Sequence, residues 1–238
     1  MPSVIIPIWF YGFDAIMYFL CSLVGFLLSF YFNKLFEISS ERKHQYLFLG
    51  FLLLSFGLLS LSMSYTFSYA TFWQCNPMSR MSPCVLGILD QTFGLESFSF
   101  FIYFGLSIIA YALFMMSYMP KKFSVPNLPT WLISLYFLIV LITMPLEGGQ
   151  TPWFSYSVFF DLVSFLMIIF VAFVNAINFC EVKTTDSLKV TTAFILLSTF
   201  HLFRIFSFVS GWMYVFAHLA MLASFILLLS VVIRVKRK

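Results

Sequence analysis

The feature that most constrains this chain is its alternation of long apolar runs with short breaks that carry charge, proline or glycine. A helix that spans a bilayer needs roughly 20 mostly apolar residues. Seven runs approach or meet that requirement: 5–32, 46–68, 92–118, 129–144, 154–179, 188–208 and 212–233. The fourth is the shortest and begins just after "SVPNLP". The breaks include the charged "NKLFEISSERKH", the basic and proline-rich "MPKKFSVPNLP", "LEGGQTP" and the polar "EVKTTD". Between the last two runs the break is only Ser210-Gly211, a tight turn that makes them antiparallel neighbours. Gly and Pro punctuate helices through their backbone geometry. Ahead of the third run, Cys84 to Asp90 is expected to form a short interfacial helix or turn.

Composition leaves little room for another class. The chain is 62% hydrophobic and 9% charged, whereas soluble domains carry about 25% charged residues. No polar segment is long enough to fold as a soluble domain, so no catalytic or signalling module is expected. The expected fold is all-α: one polytopic transmembrane domain over 1–238, an integral membrane bundle of seven helices in contact with the lipid bilayer. The first run lacks the basic n-region of a cleavable signal peptide, since the first basic residue is Lys34. It reads as a permanent helix. No internal repeat is apparent, so the inverted-repeat pattern of many transporters is not supported.

Lys and Arg accumulate in cytoplasmic loops. All but Arg80 and Arg204 of the 13 lysines and arginines fall in alternate loops and the tail. These include Lys34, Arg42, Lys43, Lys121, Lys122, Lys183, Lys189 and the run from Arg234 to Lys238. The N-terminus is therefore expected outside and the C-terminus in the cytoplasm, with the cell membrane as the location. The basic inner face signals topology and anionic lipid, not nucleic acid. The outer side and outer half hold Asp14, Asp90, Glu96, Glu147 and Asp161 against Arg80 and Arg204. An acidic mouth favours cations or protons.

The ionisable residues inside the runs are Asp14, Glu96, Asp161, His201, Arg204 and His218. Counted from the helix ends, all fall in the outer half. Their faces are polar or small: Asp14 with Tyr18, Cys21, Gly25 and Ser29; Asp161 with Ser157 and Ser164; Ser198 with His201 and Arg204; Tyr214 with His218. Such stripes face the bundle interior. Asp14, Glu96, Asp161, His201, Arg204, Tyr214 and His218 are thus the candidate polar cluster, a site for a small ligand or cation entering from outside, or for a proton. An internal ionisable residue is by default a functional hypothesis. The plainer alternative is helix glue: Arg204 paired with Asp14 or Asp161, and histidines donating to backbone carbonyls.

Cys75 and Cys84, in "CNPMSRMSPC", fall on the expected outer side, where oxidation is permitted. They are a disulfide candidate. Cys21 and Cys180 read as packing residues. No cofactor or metal site is expected. His201, His218 and one of Asp14 or Asp161 are the only set that could meet around a metal. The last run has no Lys for a retinal Schiff base. There is no nucleophile elbow, phosphate-binding glycine loop or metalloprotease motif.

The segment "FNKLFEISSERKHQYLFLGFLLLSFGLLSLS" and the ending "HLAMLASFILLLSVVIRVKRK" resemble small archaeal and bacterial seven-helix membrane proteins. Those in turn resemble the seven-helix sensor regions of some histidine kinases. The resemblance implies a sensor. The absence of an output domain after Lys238 implies that the signal passes to a cytoplasmic or membrane protein partner. The expectation is a non-enzymatic, receptor- or sensor-like protein. The alternatives are a small transporter or permease component, a structural subunit of a membrane complex, and a metal-dependent hydrolase.

Overall fold

The structure is a computed structural model that describes residue 10 and residues 12–74, 83–118 and 154–236. Within these the fold is all-α. Six helices follow in order: α1 (Phe13–Ser39), α2 (Arg42–Gln74), α3 (Pro83–Tyr118), α4 (Phe154–Val182), α5 (Thr185–Ile205) and α6 (Gly211–Lys236). Each contains a stretch long and apolar enough to cross a membrane. The expected fourth span, 129–144, lies outside the described residues. The helices α4, α5 and α6 therefore correspond to the expected fifth, sixth and seventh spans.

The helices run past the ends of the apolar runs. The break "NKLFEISSERKH" is almost wholly helical, with only Ser40 and Glu41 between α1 and α2. Ser40 turns the chain at φ 54, and its N–H reaches the Phe36 carbonyl at 2.8 Å. Likewise only Lys183 and Thr184 separate α4 from α5, and the Thr184 hydroxyl caps α5 by accepting from the Ser187 N–H. Lys, Arg and Glu are good helix formers, so a change of polarity need not end a helix. With 33 residues α2 is about 50 Å long, against about 30 Å of hydrocarbon.

Three further boundaries differ from expectation. The stretch from Cys84 to Asp90 is not a separate helix or turn but the beginning of α3, continuous from Pro83. Proline suits that first position, where its missing N–H has no intrahelical role. The helix α1 begins at Phe13, after Gly12 at φ 90, a backbone angle that favours glycine; residues 5–9 of the expected first span lie outside the described residues. And α5 stops at Ile205, so a short turn precedes Ser210.

Each helix packs on its neighbours in chain order; α3 also touches α4, and α6 closes onto α1. Close approach between α1, α2 and α3 uses glycines: Gly25 lies against Ser55, Gly50 against Phe114 and Gly57 against Tyr103. Contacts fix which ends are together. Lys43 at the start of α2 lies over the Tyr118 ring at the end of α3, and Tyr118 meets Phe194 of α5. Arg234 near the end of α6 pairs with Asp186 at the start of α5. One end of the bundle thus gathers Lys34, Arg42, Lys43, Lys183, Lys189 and Arg234. Phe30, Met63 and Phe173 are more than half exposed along the helix sides, as contact with lipid requires.

Candidate functional site

The polar residues converge at the other end of the bundle, where α1 and α6 begin and α5 finishes. Helix geometry explains why charge is tolerated there. Asp14 is in the first turn of α1, and its Oδ1 accepts from the Ala15 N–H at 2.8 Å. Arg204 is in the last turn of α5. A carboxylate at a helix N-terminus and a guanidinium at a C-terminus both complement the helix dipole. The turn after α5 is held to Arg204 as well, since its carbonyl accepts from the Ser207 N–H and hydroxyl.

Arg204 pairs with Asp161 and not with Asp14. Its Nε lies 3.2 Å from Asp161 Oδ2, while Asp161 Oδ1 takes His201 Nδ1 at 2.8 Å. The guanidinium donates from Nη1 to the Tyr18 hydroxyl at 3.2 Å. Its faces are covered by Phe100 and Phe200, 5.5 and 5.7 Å from the ring centres. Such cation–π contacts strengthen when desolvated. Arg204 is 9% exposed and Asp161 1%.

Asp14 has a different set of partners. Its Oδ2 accepts from the phenols of Tyr69 at 2.8 Å and Tyr214 at 2.9 Å. Both oxygens are therefore occupied by neutral donors. Phe10 meets the Tyr214 and His218 rings edge-on from outside the helix.

The histidine tautomers follow from their partners. His218 Nδ1 faces the Tyr214 carbonyl at 2.8 Å, which can only accept. The Nδ1 therefore carries a proton, and in the neutral ring Nε2 is the acceptor. Nε2 lies 2.8 Å from the Tyr18 hydroxyl, which donates to it. Tyr18 thus donates once to His218 and accepts once from Arg204. His201 repeats the arrangement, with Nδ1 donating to Asp161 and Nε2 accepting from the Tyr111 hydroxyl at 2.8 Å.

Of the seven expected residues, Asp14, Asp161, His201, Arg204, Tyr214 and His218 join one hydrogen-bonded cluster. The backbone of Glu96 belongs to α3, but its side chain is outside the described residues, as are Cys75 and the Cys84 side chain. The expected disulfide therefore lies outside them too. The face of Asp14, Tyr18, Cys21, Gly25 and Ser29 is buried throughout, as are Ser198, His201 and Arg204. Tyr18, Tyr69 and Tyr111 complete the cluster and were absent from the expected set. One signal for Tyr111 was legible: Ser99, Tyr103, Ser107 and Tyr111 recur every fourth residue, and all four are buried. Among the described residues, no three His, Cys, Asp or Glu side chains group closely enough to hold a metal ion.

Comparison with protein-family models, with curated proteins and with solved structures gave no match.

Proposed function

We propose that this is a receptor- or sensor-like membrane protein rather than an enzyme, with the polar cluster as its responsive site for a proton or small polar ligand. The observation that carries this reading is the continuity of the cluster. Hydrogen bonds run from Tyr111 through His201, Asp161, Arg204 and Tyr18 to His218, whose Nδ1 ends on the Tyr214 backbone carbonyl, while the Tyr214 phenol carries the cluster on to Asp14 and Tyr69. All six helices contribute. A change of charge at one member alters what the others can donate or accept, and so alters contacts on several helices. The resemblance of 32–62 to sensor-type seven-helix proteins points the same way. The proposal includes a seventh span at 129–144, the N-terminus outside, the C-terminus in the cytoplasm and the cell membrane as location. The basic end would then present the change to a cytoplasmic or membrane protein partner.

The test is amide hydrogen exchange of the protein in lipid nanodiscs, titrated with acid and then with sodium chloride and small cationic amines. The expected result is a change in exchange near α1, α5 and α6 that Asp161→Asn weakens. Protection factors, taken relative to the intrinsic rate at each pH, that are indifferent to all three additions would sink the reading.

A second reading is a structural subunit of a membrane complex, with the cluster as helix glue. The burial of the Arg204–Asp161 pair favours it. A partner that co-purifies in fixed ratio, with no response to the titrations, would select it.

A further inference from the structure

The ring of helices divides unevenly. The packing of α2 on α1 and α3 is extensive, as is that of α5 on α4 and α6. The joins between α1 and α6 and between α3 and α4 are much sparser among the described residues. Among the described residues the helices therefore fall into two sets of three, α1–α3 and α4–α6, meeting at two seams. Each half contributes one carboxylate to the cluster, with a partner of its own: Asp14 with Tyr69, and Asp161 with Arg204 and His201.

At the polar end, four side-chain hydrogen bonds join the halves, each with a tyrosine phenol at one end, and nearer the basic end Tyr118 of α3 also hydrogen-bonds Asn175 of α4. Tyr111 donates to His201 Nε2, and Tyr18 donates to His218 Nε2. Tyr18 also accepts from Arg204, and Tyr214 donates to Asp14. Two of the four therefore depend on a neutral imidazole accepting a phenolic proton. At the α3/α4 seam the rings of Phe104 and Phe160 stack at 4.7 Å.

We propose that the two halves part along these seams, that the phenols of Tyr18, Tyr111 and Tyr214 latch them together, and that a proton on His218 releases the latch. The inference deepens the sensor reading and rests on it for the trigger. When Nε2 gains a proton it becomes a donor, and the Tyr18 hydroxyl proton loses its acceptor. Tyr18 then faces donors on both sides, the imidazolium and Arg204. A buried hydroxyl without an acceptor is unfavourable, and so are two cations sharing one phenol. The groups facing His218 are Tyr18 of α1, with Tyr65 of α2 stacked behind it; Phe200 of α5, with Arg204; Phe10; and Tyr214 of its own helix. Neither nitrogen of His218 bonds a carboxylate; Nδ1 takes the Tyr214 backbone carbonyl, and the Tyr214 phenol, not His218, meets Asp14. His201 differs because Asp161 contacts it directly and can balance a charge. The trigger is therefore His218.

The test is a pair of distance distributions in nanodiscs, using spin-labelled unnatural amino acids that leave the native cysteines in place. Ile38 and Val182, both exposed at the basic end, report across the halves. Val182 and Ile233, also exposed, report within one half. The expected result is a second, longer cross-half population in acid for the wild type, already present at neutral pH in Tyr18→Phe. The within-half distance should hold in both. His218→Gln, which keeps a hydrogen-bonding side chain but cannot titrate, should lose the acid response. A cross-half distribution unchanged by Tyr18→Phe would overturn the latch, whatever ligands the protein senses. If Tyr18→Phe parts the halves and acid does not, the proton trigger fails, and with it the proton form of the sensor reading. Loosening of both pairs in Tyr18→Phe means general unfolding and also overturns the latch.

Discussion

Arg204 combines three kinds of contact in one side chain: a carboxylate, a phenol and two aromatic faces. Removing one partner of a buried ion pair costs more than the pair contributes, because the other charge stays behind. Arg204→Ala leaves Asp161 buried with His201 as its remaining side-chain partner. The expected loss is about 3–5 kcal/mol of stability, read by thermal or denaturant unfolding in micelles. Arg204→Lys should recover only part, since an ammonium is a point charge and cannot serve Asp161, Tyr18 and two rings as a planar fork does. A loss for Arg204→Ala no greater than that for Lys34→Ala, at an exposed helix end, would refute this account. The residues of the cluster were unequally legible. Asp14, Asp161, His201, Arg204 and His218 stood out because ionisable groups are conspicuous in apolar runs. Tyr18 and Tyr111 were legible only as members of a stripe, on the face of Asp14 and in the fourth-residue spacing of α3, and Tyr69 not at all, because one phenol among 12 tyrosines and 34 phenylalanines carries no mark of what it touches. The choice of Asp161 over Asp14 as the partner of Arg204 was not legible at all. It depends on how α4 and α5 sit side by side, and each candidate had an acceptable depth.

At the scale of the helix, polarity marked the spans but not their ends. Charged residues continue the helices beyond the apolar runs, and the boundaries come from local caps: Ser40 closes α1 and Thr184 opens α5. Interhelical spacing was likewise hidden, because it depends on what each glycine faces. A β-carbon added at Gly50 would lie 2.5 and 2.9 Å from two ring atoms of Phe114 and 3.3 Å from the Ala110 carbonyl. Phe114 is fully buried, so the ring has little room to swing. At Gly57 the nearest atoms belong to Tyr103, at 3.2 Å and beyond. Alanine is intrinsically better than glycine inside a helix by about 0.8–1.0 kcal/mol, whereas overpacking a tight core costs about 1–3 kcal/mol. The steric term should win at Gly50, and the two should nearly cancel at Gly57. Gly50→Ala is therefore expected to lower the thermal unfolding midpoint clearly, and Gly57→Ala to leave it within a small margin. A Gly50→Ala protein as stable as the wild type would mean that α2 and α3 can separate locally without cost.

For the whole molecule, the membrane class was legible from hydropathy alone, while the division into two halves was not, because it lies in contacts between residues far apart in the chain. The basic and polar ends illustrate how far the two sources reach together. Loop charges assigned Lys34, Arg42, Lys43, Lys183, Lys189 and Arg234 to one side, and the helices bring the same residues to one end of the bundle. Asp14, Arg204 and Tyr214 sit at the opposite end, in the terminal turns of α1, α5 and α6 respectively. The proposed orientation turns this polarity into a prediction about the cell. Cytoplasmic loops collect lysine and arginine, so the basic end should face the cytoplasm and the cluster should lie near the outer surface. With the proposed span at 129–144 the number of crossings is odd, and the two termini should fall on opposite faces. Reporters active only in the cytoplasm, fused in turn to each end, measure this directly. The expected outcome is activity at the C-terminus and none at the N-terminus. Activity at both ends would make the number of crossings even, and so remove 129–144 as a span. The halves α1–α3 and α4–α6 would then have opposite orientations in the bilayer. That contradicts the contacts placing the ends of α3 and α6 beside the start of α5, so those contacts would have to be abandoned together with the latch that crosses the seam.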